Sequence, residues 1–183
     1  MPSVTRLYTV EDVRALPDDG NRYETIGGEL FVTPAPGIPH QTVLARLFAA
    51  LWPYVEQHGL GRLWFAPVDV VFGPLTLVEP DLLFVSRLRL DILSERDVSG
   101  APDLVVEAIS PSTKRTDRGR KRALYQEGGV REYWIVDAEL RQVEVWRPGA
   151  MAAEVQRERL TWQPEPAVEP LEIDIRALFK SAP

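Results

Sequence analysis

The spacing of the large apolar residues changes along the chain between a helical and a strand-like period. Over residues 40–58 they recur every three or four positions, which predicts an amphipathic helix. Pro53 lies inside this segment and can kink it, and Gly59 is suited to end it. A shorter helix is expected to begin at Thr9, a capping residue with an acid three positions later, and to end near Leu16.

Shorter apolar runs bounded by turn residues predict strands. A hairpin is expected over residues 22–33, turning at Gly27-Gly28, because glycine reaches positive φ without strain. Further strands are expected over 62–73 (one bent strand or two), 76–86 (interrupted at Pro80), 103–110, 131–137, 141–148 and, weakly, near Val155.

Two more helices complete this pattern. One is expected over residues 116–127, ended by Gly128-Gly129, and one near 175–180, whereas 87–100 is expected to be a short helix and a loop. The central order is then helix, strand, strand, strand, helix, strand, which is typical of an α/β or α+β fold with helices packed on a mixed sheet. A length of 183 residues favours a single domain over 1–183. We expect its core at about 22–147 and a C-terminal extension at 150–183.

Composition narrows the possible chemistry. The chain has no cysteine and only two histidines, so a metal would have to be held mainly by carboxylates and carbonyls, the ligands of magnesium and manganese. No apolar run approaches the roughly 20 residues of a membrane span. The first residues lack the apolar segment of a signal peptide, so we expect a cytoplasmic protein without membrane contact.

Charge is unevenly distributed. A net charge of −6 argues against binding nucleic acid, yet residues 114–122 hold six basic residues and one acid. A basic segment of this kind can contact phosphates even in an acidic protein. The arginines on it cannot all face inward, so most are expected on a solvated helix face.

Glu107 lies in the middle of a strand that is apolar on both faces, as expected of a central strand. A carboxylate there is costly unless it is paired, hydrogen-bonded or bound to a cation, so a salt bridge to an arginine is the alternative to a functional role. Asp81 follows Pro80 on an upstream strand, and neighbouring strands are about 4.8 Å apart, so both carboxylates could reach one Mg²⁺. Asp103 also follows a proline, but it lies about 13 Å along the same strand from Glu107, too far to share an ion.

The helix after Glu107 offers a cation. Lys121 comes four positions after Asp117, so the two side chains point the same way. Because a helix that follows a strand packs back on the sheet, one basic residue of it could reach the carboxylate pair.

These residues resemble a known nuclease superfamily. Pro80-Asp81 followed by Glu107 on such a core is similar to the PD-(D/E)XK pattern. Longer phrases closely resemble the Uma-two endonuclease family of restriction-endonuclease-like proteins, over about residues 22–147. They are YETIGGEL, PHQTVLARL, DLVVEAISPSTKRTDRGRKRALYQEGGVREYWIVD and VEVW.

The resemblance implies a restriction-endonuclease-like fold and Mg²⁺- or Mn²⁺-dependent cleavage of DNA. Asp81 and Glu107 would hold the metal together with the backbone carbonyl of Ile109. The lysine that the superfamily carries two positions after the glutamate is missing here, since Ile109 occupies that position. The resemblance suggests that Lys121 replaces it as the catalytic cation.

Three residues are supporting candidates within the family-like phrases. Glu29, His40 and Asp117 could line the site, and Glu29 or His40 could serve as a third ligand or proton acceptor. Glu24, on the same hairpin as Glu29, is a lesser candidate. The alternatives are an exposed hairpin glutamate for Glu29 and an ordinary helix N-terminal residue for His40. Tyr125, Tyr133 and Trp134 are expected in the core.

The expected partner is DNA. Cleavage of a duplex usually needs two active sites, so a homodimer is expected as well. Two other functions stay open: a catalytically weak or inactive nucleic-acid-binding or regulatory protein, and a structural protein whose acids pair with arginines.

Overall fold

The computed structural model describes residues 6–180. The helices are α1 (Val10–Arg14), α2 (Ile38–His58), α3 (Lys114–Thr116), α4 (Arg122–Gly128) and α5 (Ile175–Leu178), with a 3₁₀ helix at Arg87–Ile92 and a π-helical turn at Asp117–Lys121. The strands are β1 (Asn21–Ile26), β2 (Glu29–Pro34), β3 (Gly61–Phe65), β4 (Asp69–Gly73), β5 (Thr76–Val78), β6 (Leu82–Ser86), β7 (Asp97–Ser99), β8 (Leu104–Ile109), β9 (Glu132–Asp137), β10 (Gln142–Trp146), β11 (Glu154–Gln156), β12 (Arg159–Trp162) and β13 (Leu171–Asp174).

A six-stranded mixed sheet forms the centre of the fold, in the order β11-β10-β9-β8-β6-β3. β8 pairs in parallel with β9 and antiparallel with β6, so it occupies an interior position. Its residues Leu104 to Ala108 are all buried. The prediction of a central strand covered on both faces is therefore confirmed.

Helix α2 covers one face of this sheet. Its buried residues include the predicted apolar stripe: Val43, Leu44, Leu47, Leu51 and Val55. The helix begins at Ile38, two residues earlier than predicted, because Pro39 is tolerated in a first turn. Gly59 ends it with φ 58°. The β12–β13 hairpin, which the sequence did not indicate, packs on the same core through Leu160, Trp162 and Ile173.

A second sheet covers the opposite face. It has five strands in the order β2-β1-β5-β4-β7. The segments 62–73 and 76–86 each contribute one strand to either sheet, so each is two strands. Pro67 and Pro80 lie at the two crossings, where a residue without a backbone N–H cannot extend a ladder. The β1–β2 hairpin is thus an integral part of a second layer.

The helical segment after β8 also differs from the prediction. It begins at Lys114 instead of 116, passes through the π-helical turn and ends at Gly128, where Gly129 has φ 92°. None of the helices in residues 6–180 is both long and apolar enough to cross a membrane. The single-domain organisation stays a prediction.

Candidate active site

A cavity of about 260 Å³ opens beside the carboxyl end of β8. Its walls come from the β1–β2 hairpin, the start of α2, β8 and the helical segment that follows. Seven titratable side chains line it: Arg22, Glu24, His40, Asp81, Glu107, Asp117 and Lys121. Four of these are acids and two are permanent cations, so the cavity carries more negative than positive charge when all of its acids are ionised.

Asp81 and Glu107 face one another across two neighbouring strands. The β6–β8 register pairs Leu82 with Val106, and the next step of this antiparallel ladder sets Asp81 opposite Glu107. The backbone N–H of Ala108 donates to Asp81 Oδ2 over 2.8 Å. Both carboxylates are buried. The two acids selected from the sequence are therefore brought together.

Asp81 is held by two basic side chains. Arg22 Nη1 donates to Asp81 Oδ1 over 3.0 Å, and His40 Nε2 lies 3.1 Å from Asp81 Oδ2. Burial alone would raise the pKa of Asp81, but the contacts with His40 and Arg22 outweigh it and lower this pKa. The other ring nitrogen of His40, Nδ1, is buried and has no hydrogen-bond partner among the described residues.

Lys121 points from the helical segment into the same cavity. Its Nζ lies 2.9 Å from Glu107 Oε1, 2.8 Å from Glu24 Oε1 and 3.9 Å from Asp117 Oδ1. Burial would lower the pKa of Lys121, but the attraction of Glu107, Glu24 and Asp117 outweighs it and raises this pKa. The Tyr125 hydroxyl also donates to Glu107 Oε1, over 2.9 Å. Lys121 is therefore a charged donor within reach of the acid pair.

The π-helical turn lies at the site. It spans Asp117 to Lys121, and both of these side chains are buried, as is Tyr125 one turn later. A π turn closes its hydrogen bond one residue later than an α-helix does, and such turns are frequent at functional sites. The side chains of Asp117, Lys121 and Tyr125, which follow one another at intervals of four residues, all face the sheet across this turn.

Two acids of the cavity are harder to ionise than usual. Burial raises the pKa of Glu107 well above its ordinary value, despite the attraction of Lys121. Burial also raises the pKa of Asp117 to about 6. In both cases the cost of burying the charged form outweighs the attraction of Lys121.

The two remaining candidates, Glu29 and Ile109, differ in their position relative to the cavity. Glu29 is exposed and pairs with Arg120 at 2.8 Å, outside the cavity lining, so it is not brought to the site. Ile109 packs its side chain against the second core, while its neighbours Ala108 and Ser110 line the cavity.

Asp103 was excluded as a metal ligand because of its distance from Glu107 along the strand, and it does not line the cavity. It accepts the Ser86 N–H at 2.8 Å and pairs with Arg89 at 3.1 Å and Arg131 at 3.2 Å. It serves to hold the amino-terminal end of β8.

Sequence reasoning missed two contributors, Arg22 and Tyr125, and named Glu24 only as a lesser candidate. Arg22 and Glu24 share one face of β1, and Glu24 also accepts the Glu79 N–H at 2.8 Å. The signal available was their two-residue spacing on a predicted strand, which places both side chains on the same face. Tyr125 was expected in the core, where it lies, but its contact with Glu107 was not anticipated.

The donor set suits a hard cation. Carboxylate oxygens are the protein ligands that Mg²⁺ prefers, and the cavity has two more acids than permanent cations. In residues 6–180, no group of three or more His, Asp or Glu is already arranged to enclose a metal. Lys121 takes the place beside Glu107 that an ion would share.

The mixed sheet flanked by helices, with opposed acids on adjacent strands, defines a restriction-endonuclease-like fold. The chain belongs to the family described as "Putative restriction endonuclease" (Uma2), which matches residues 10–176. A crystal structure described as "a putative nuclease belonging to DUF820 from Anabaena variabilis ATCC 29413" superposes with a TM-score of 0.76. It is 21% identical, and the match covers 94% of this chain and 97% of that chain. No curated protein matches this chain. The expected family and fold class are thus confirmed.

Proposed function

We propose that this protein is a metal-dependent endonuclease that hydrolyses DNA phosphodiester bonds. The observation that carries the proposal is the opposed, buried pair Asp81 and Glu107, with the Lys121 ammonium 2.9 Å from Glu107 in an open cavity. Family membership supports the same reaction class.

Asp81 and Glu107 are the proposed ligands of Mg²⁺ or Mn²⁺, with the Ile109 carbonyl as a further ligand. When bound, such an ion activates a water molecule and draws charge from a phosphoryl oxygen. Arg22 and His40 orient Asp81 through their contacts with its two oxygens. Glu24 and Asp117 would keep Lys121 in place through their contacts with its Nζ.

Lys121 acts in this proposal as a hydrogen-bond donor. Its raised pKa keeps the ammonium charged at physiological pH, so it cannot serve as a general base. A charged donor fixed in place stabilises the negative charge that develops on the phosphoryl oxygens. In the reaction, the water oxygen bonds to phosphorus, and the bond from phosphorus to one sugar oxygen breaks. The attacking water releases one proton to solvent, and the released sugar oxygen takes up one proton from solvent.

Plasmid nicking with Mg²⁺ or Mn²⁺ tests the acid pair. We expect Asp81→Asn to abolish metal-dependent nicking and Asp103→Asn to retain it. The two variants are matched because both acids are buried and both follow a proline, yet only Asp81 lines the cavity. Thermal melting confirms that each variant is folded. Nicking by folded Asp81→Asn at the wild-type rate would rule out this site.

The lysine is tested in the same assay. Lys121→Met should lose nicking, whereas Lys114→Met, a more exposed lysine that pairs with Glu139 at 3.8 Å, should not. Removing one preorganised donor typically costs about 10²–10³-fold in rate. Equal rates for the two lysine variants would remove Lys121 from the mechanism.

A second function is favoured by one specific observation. Every acid of the opposed pair already has a basic partner, with Arg22 and His40 on Asp81 and Lys121 on Glu107. Such a saturated cluster suits a nucleic-acid-binding or regulatory protein that no longer cleaves. Wild type that binds DNA but never nicks it, with either metal, would support this alternative.

Duplex cleavage also leads us to propose a homodimer, since the cavity provides one catalytic centre per chain. Sedimentation at micromolar concentration should show a species of twice the chain mass. A monomer that still cleaves both strands would contradict this proposal.

A further inference from the structure

Three aromatic side chains form a partly exposed surface next to the proposed active site. Phe48 and Trp52 lie on α2 with ring centroids 5.4 Å apart and planes 24° apart. Phe65, at the end of β3, meets Phe48 edge-on at 5.2 Å. Phe65 is 62% exposed and Trp52 40% exposed.

Phe48 and Phe65 border a second cavity, of about 250 Å³, which we call the aromatic pocket. Its lining residues are Arg22, Gln41, Leu44, Ala45, Phe48, Phe65, Ala66, Asp81 and Leu82. Trp52 lies outside this lining and contacts it through its stack on Phe48. The pocket is smaller than the roughly 300–1,000 Å³ typical of sites for drug-sized ligands. It therefore has room for a single flat ring system.

The aromatic pocket lies next to the reaction cavity. Arg22 and Asp81 line both. Phe65 is paired in register with Leu82, and the Ala66 N–H donates to the Asp81 carbonyl over 3.0 Å. The ring of Phe65 is thus anchored to the strand that carries a proposed metal ligand. A group bound against it would lie beside the reacting phosphate.

Packing alone does not explain these exposed rings. A single exposed apolar side chain needs no explanation, but contiguous apolar surface beside a cavity is typical of a binding site. Burying the face of Phe65 would stabilise the fold, yet it is left open to solvent.

We propose that the aromatic pocket binds one unpaired nucleobase of the strand whose phosphate enters the reaction cavity. The inference rests on the proposed nuclease function and specifies its substrate as single-stranded or locally unpaired DNA. Every base has a π-face, so aromatic side chains stack with bases irrespective of sequence. The exposed amide of Gln41 at the rim offers both a donor and an acceptor to a base edge. A base within a duplex reaches such a pocket only after leaving its stack.

A binding cycle between base and side chain tests the inference. The probes are a fluorescently labelled 12-nucleotide thymidine strand and an abasic strand of the same length, measured by anisotropy with Ca²⁺ in place of Mg²⁺. Wild type should bind the thymidine strand about 5- to 150-fold more tightly, since stacking contributes about 1–3 kcal/mol per base. Phe65→Ala and Trp52→Ala should each bring this ratio closer to one by weakening thymidine binding alone.

Leu88→Ala is the matched control. Leu88 is also a largely exposed apolar residue, but it lies on the 3₁₀ helix and lines neither cavity. It should keep the wild-type ratio. Variants of Phe65 and Trp52 that also keep the wild-type ratio would overturn the inference.

Two further readouts separate the remaining outcomes. If Phe65→Ala dissociates a dimer in sedimentation while the ratio is unchanged, the rings contact a second copy of the chain and the inference is wrong. Mg²⁺-dependent cleavage of the thymidine strand by wild type and Asp81→Asn tests the proposed function separately. Cleavage lost in Asp81→Asn, together with an unchanged ratio in Phe65→Ala, would refute the base pocket alone. Equal behaviour of wild type and Asp81→Asn would refute the nuclease site instead.

Discussion

The substitution Asp117→Asn should make the protein more resistant to rising pH. Burial raises the pKa of Asp117 from its ordinary value of 3.8 to about 6. The folded chain therefore binds this proton more tightly than the unfolded chain does. Stability is lost as the pH rises through this interval, because the buried carboxyl must ionise in the folded state.

The size of the effect follows from the pKa difference. Each pKa unit corresponds to 1.36 kcal/mol, so ionised Asp117 costs the folded state about 3 kcal/mol above pH 7. Asparagine has a similar shape and no charge, so the variant escapes this cost. Part of this cost is already present at pH 4, where the unfolded carboxyl is half ionised, so the free energy of unfolding of the variant, relative to wild type, should rise by about 2 kcal/mol between pH 4 and pH 8.

Urea unfolding at several pH values measures this difference, and Asp137→Asn supplies a control of opposite sign. Burial would raise the pKa of Asp137, but the Leu140 N–H and Arg118 outweigh it and lower this pKa. Ionised Asp137 therefore stabilises the fold above its unfolded pKa, and this stability is lost on acidification. Asp137→Asn should be less stable than wild type at pH 7, and the difference should shrink in acid.

A difference between wild type and Asp117→Asn that stays constant from pH 4 to pH 8 would refute the reasoning. It would mean that Asp117 titrates near its ordinary pKa and that the cavity is better neutralised than its lining residues indicate.

Three other predictions follow from the same site and its supporting strands. Mg²⁺ at 100 times its dissociation constant should stabilise wild type by about 2.7 kcal/mol in thermal melting. No such gain is expected for Asp81→Asn, and an equal gain in this variant would place the ion elsewhere. Lys121→Met should lower the free energy of unfolding by about 3–5 kcal/mol because it leaves buried acids unpaired. Lys114→Met should cost less than about 1 kcal/mol, and similar urea midpoints for the two would contradict the buried pairing. Gly61→Ala should destabilise or unfold the protein, because a Cβ there would lie 2.1 Å from the Val85 carbonyl oxygen. In the control variant Gly119→Ala the new Cβ meets no atom within 4 Å, so this variant should melt at or above the wild-type temperature. A stable Gly61→Ala would show that β3 can shift.

Local pattern was sufficient for much of the fold. The apolar spacing of α2 and the two-sided apolar character of β8 each predicted an element that the structure contains. At residues 62–73 and 76–86 the same pattern allowed two strands or an interruption, but it did not indicate that the chain passes from one sheet to the other there. Periodicity reports which face of a strand is buried, and it carries no information about which sheet the strand joins.

The acid pair could be proposed from the sequence because its geometry depends mainly on the regular dimensions of a sheet. The spacing between neighbouring strands and the rise per residue along one strand were enough to favour Asp81 over Asp103 as the neighbour of Glu107. The structure brings Asp81 opposite Glu107 and binds Asp103 to Arg89 and Arg131 instead.

The surroundings of that pair were decided by tertiary structure alone. Glu24 and Arg22 reach the cavity because the β1–β2 hairpin belongs to a second sheet folded over the first. Lys121 reaches it on a helical segment that contains a π turn, and Glu29, on the same hairpin as Glu24, does not. By itself, the sequence determined which residue types could bind a metal or a phosphate and which strand each occupied. The packing of the two sheets decided how many of these residues come together in the cavity. Contacts between residues far apart in the chain depend on the whole fold and leave no local pattern in the sequence.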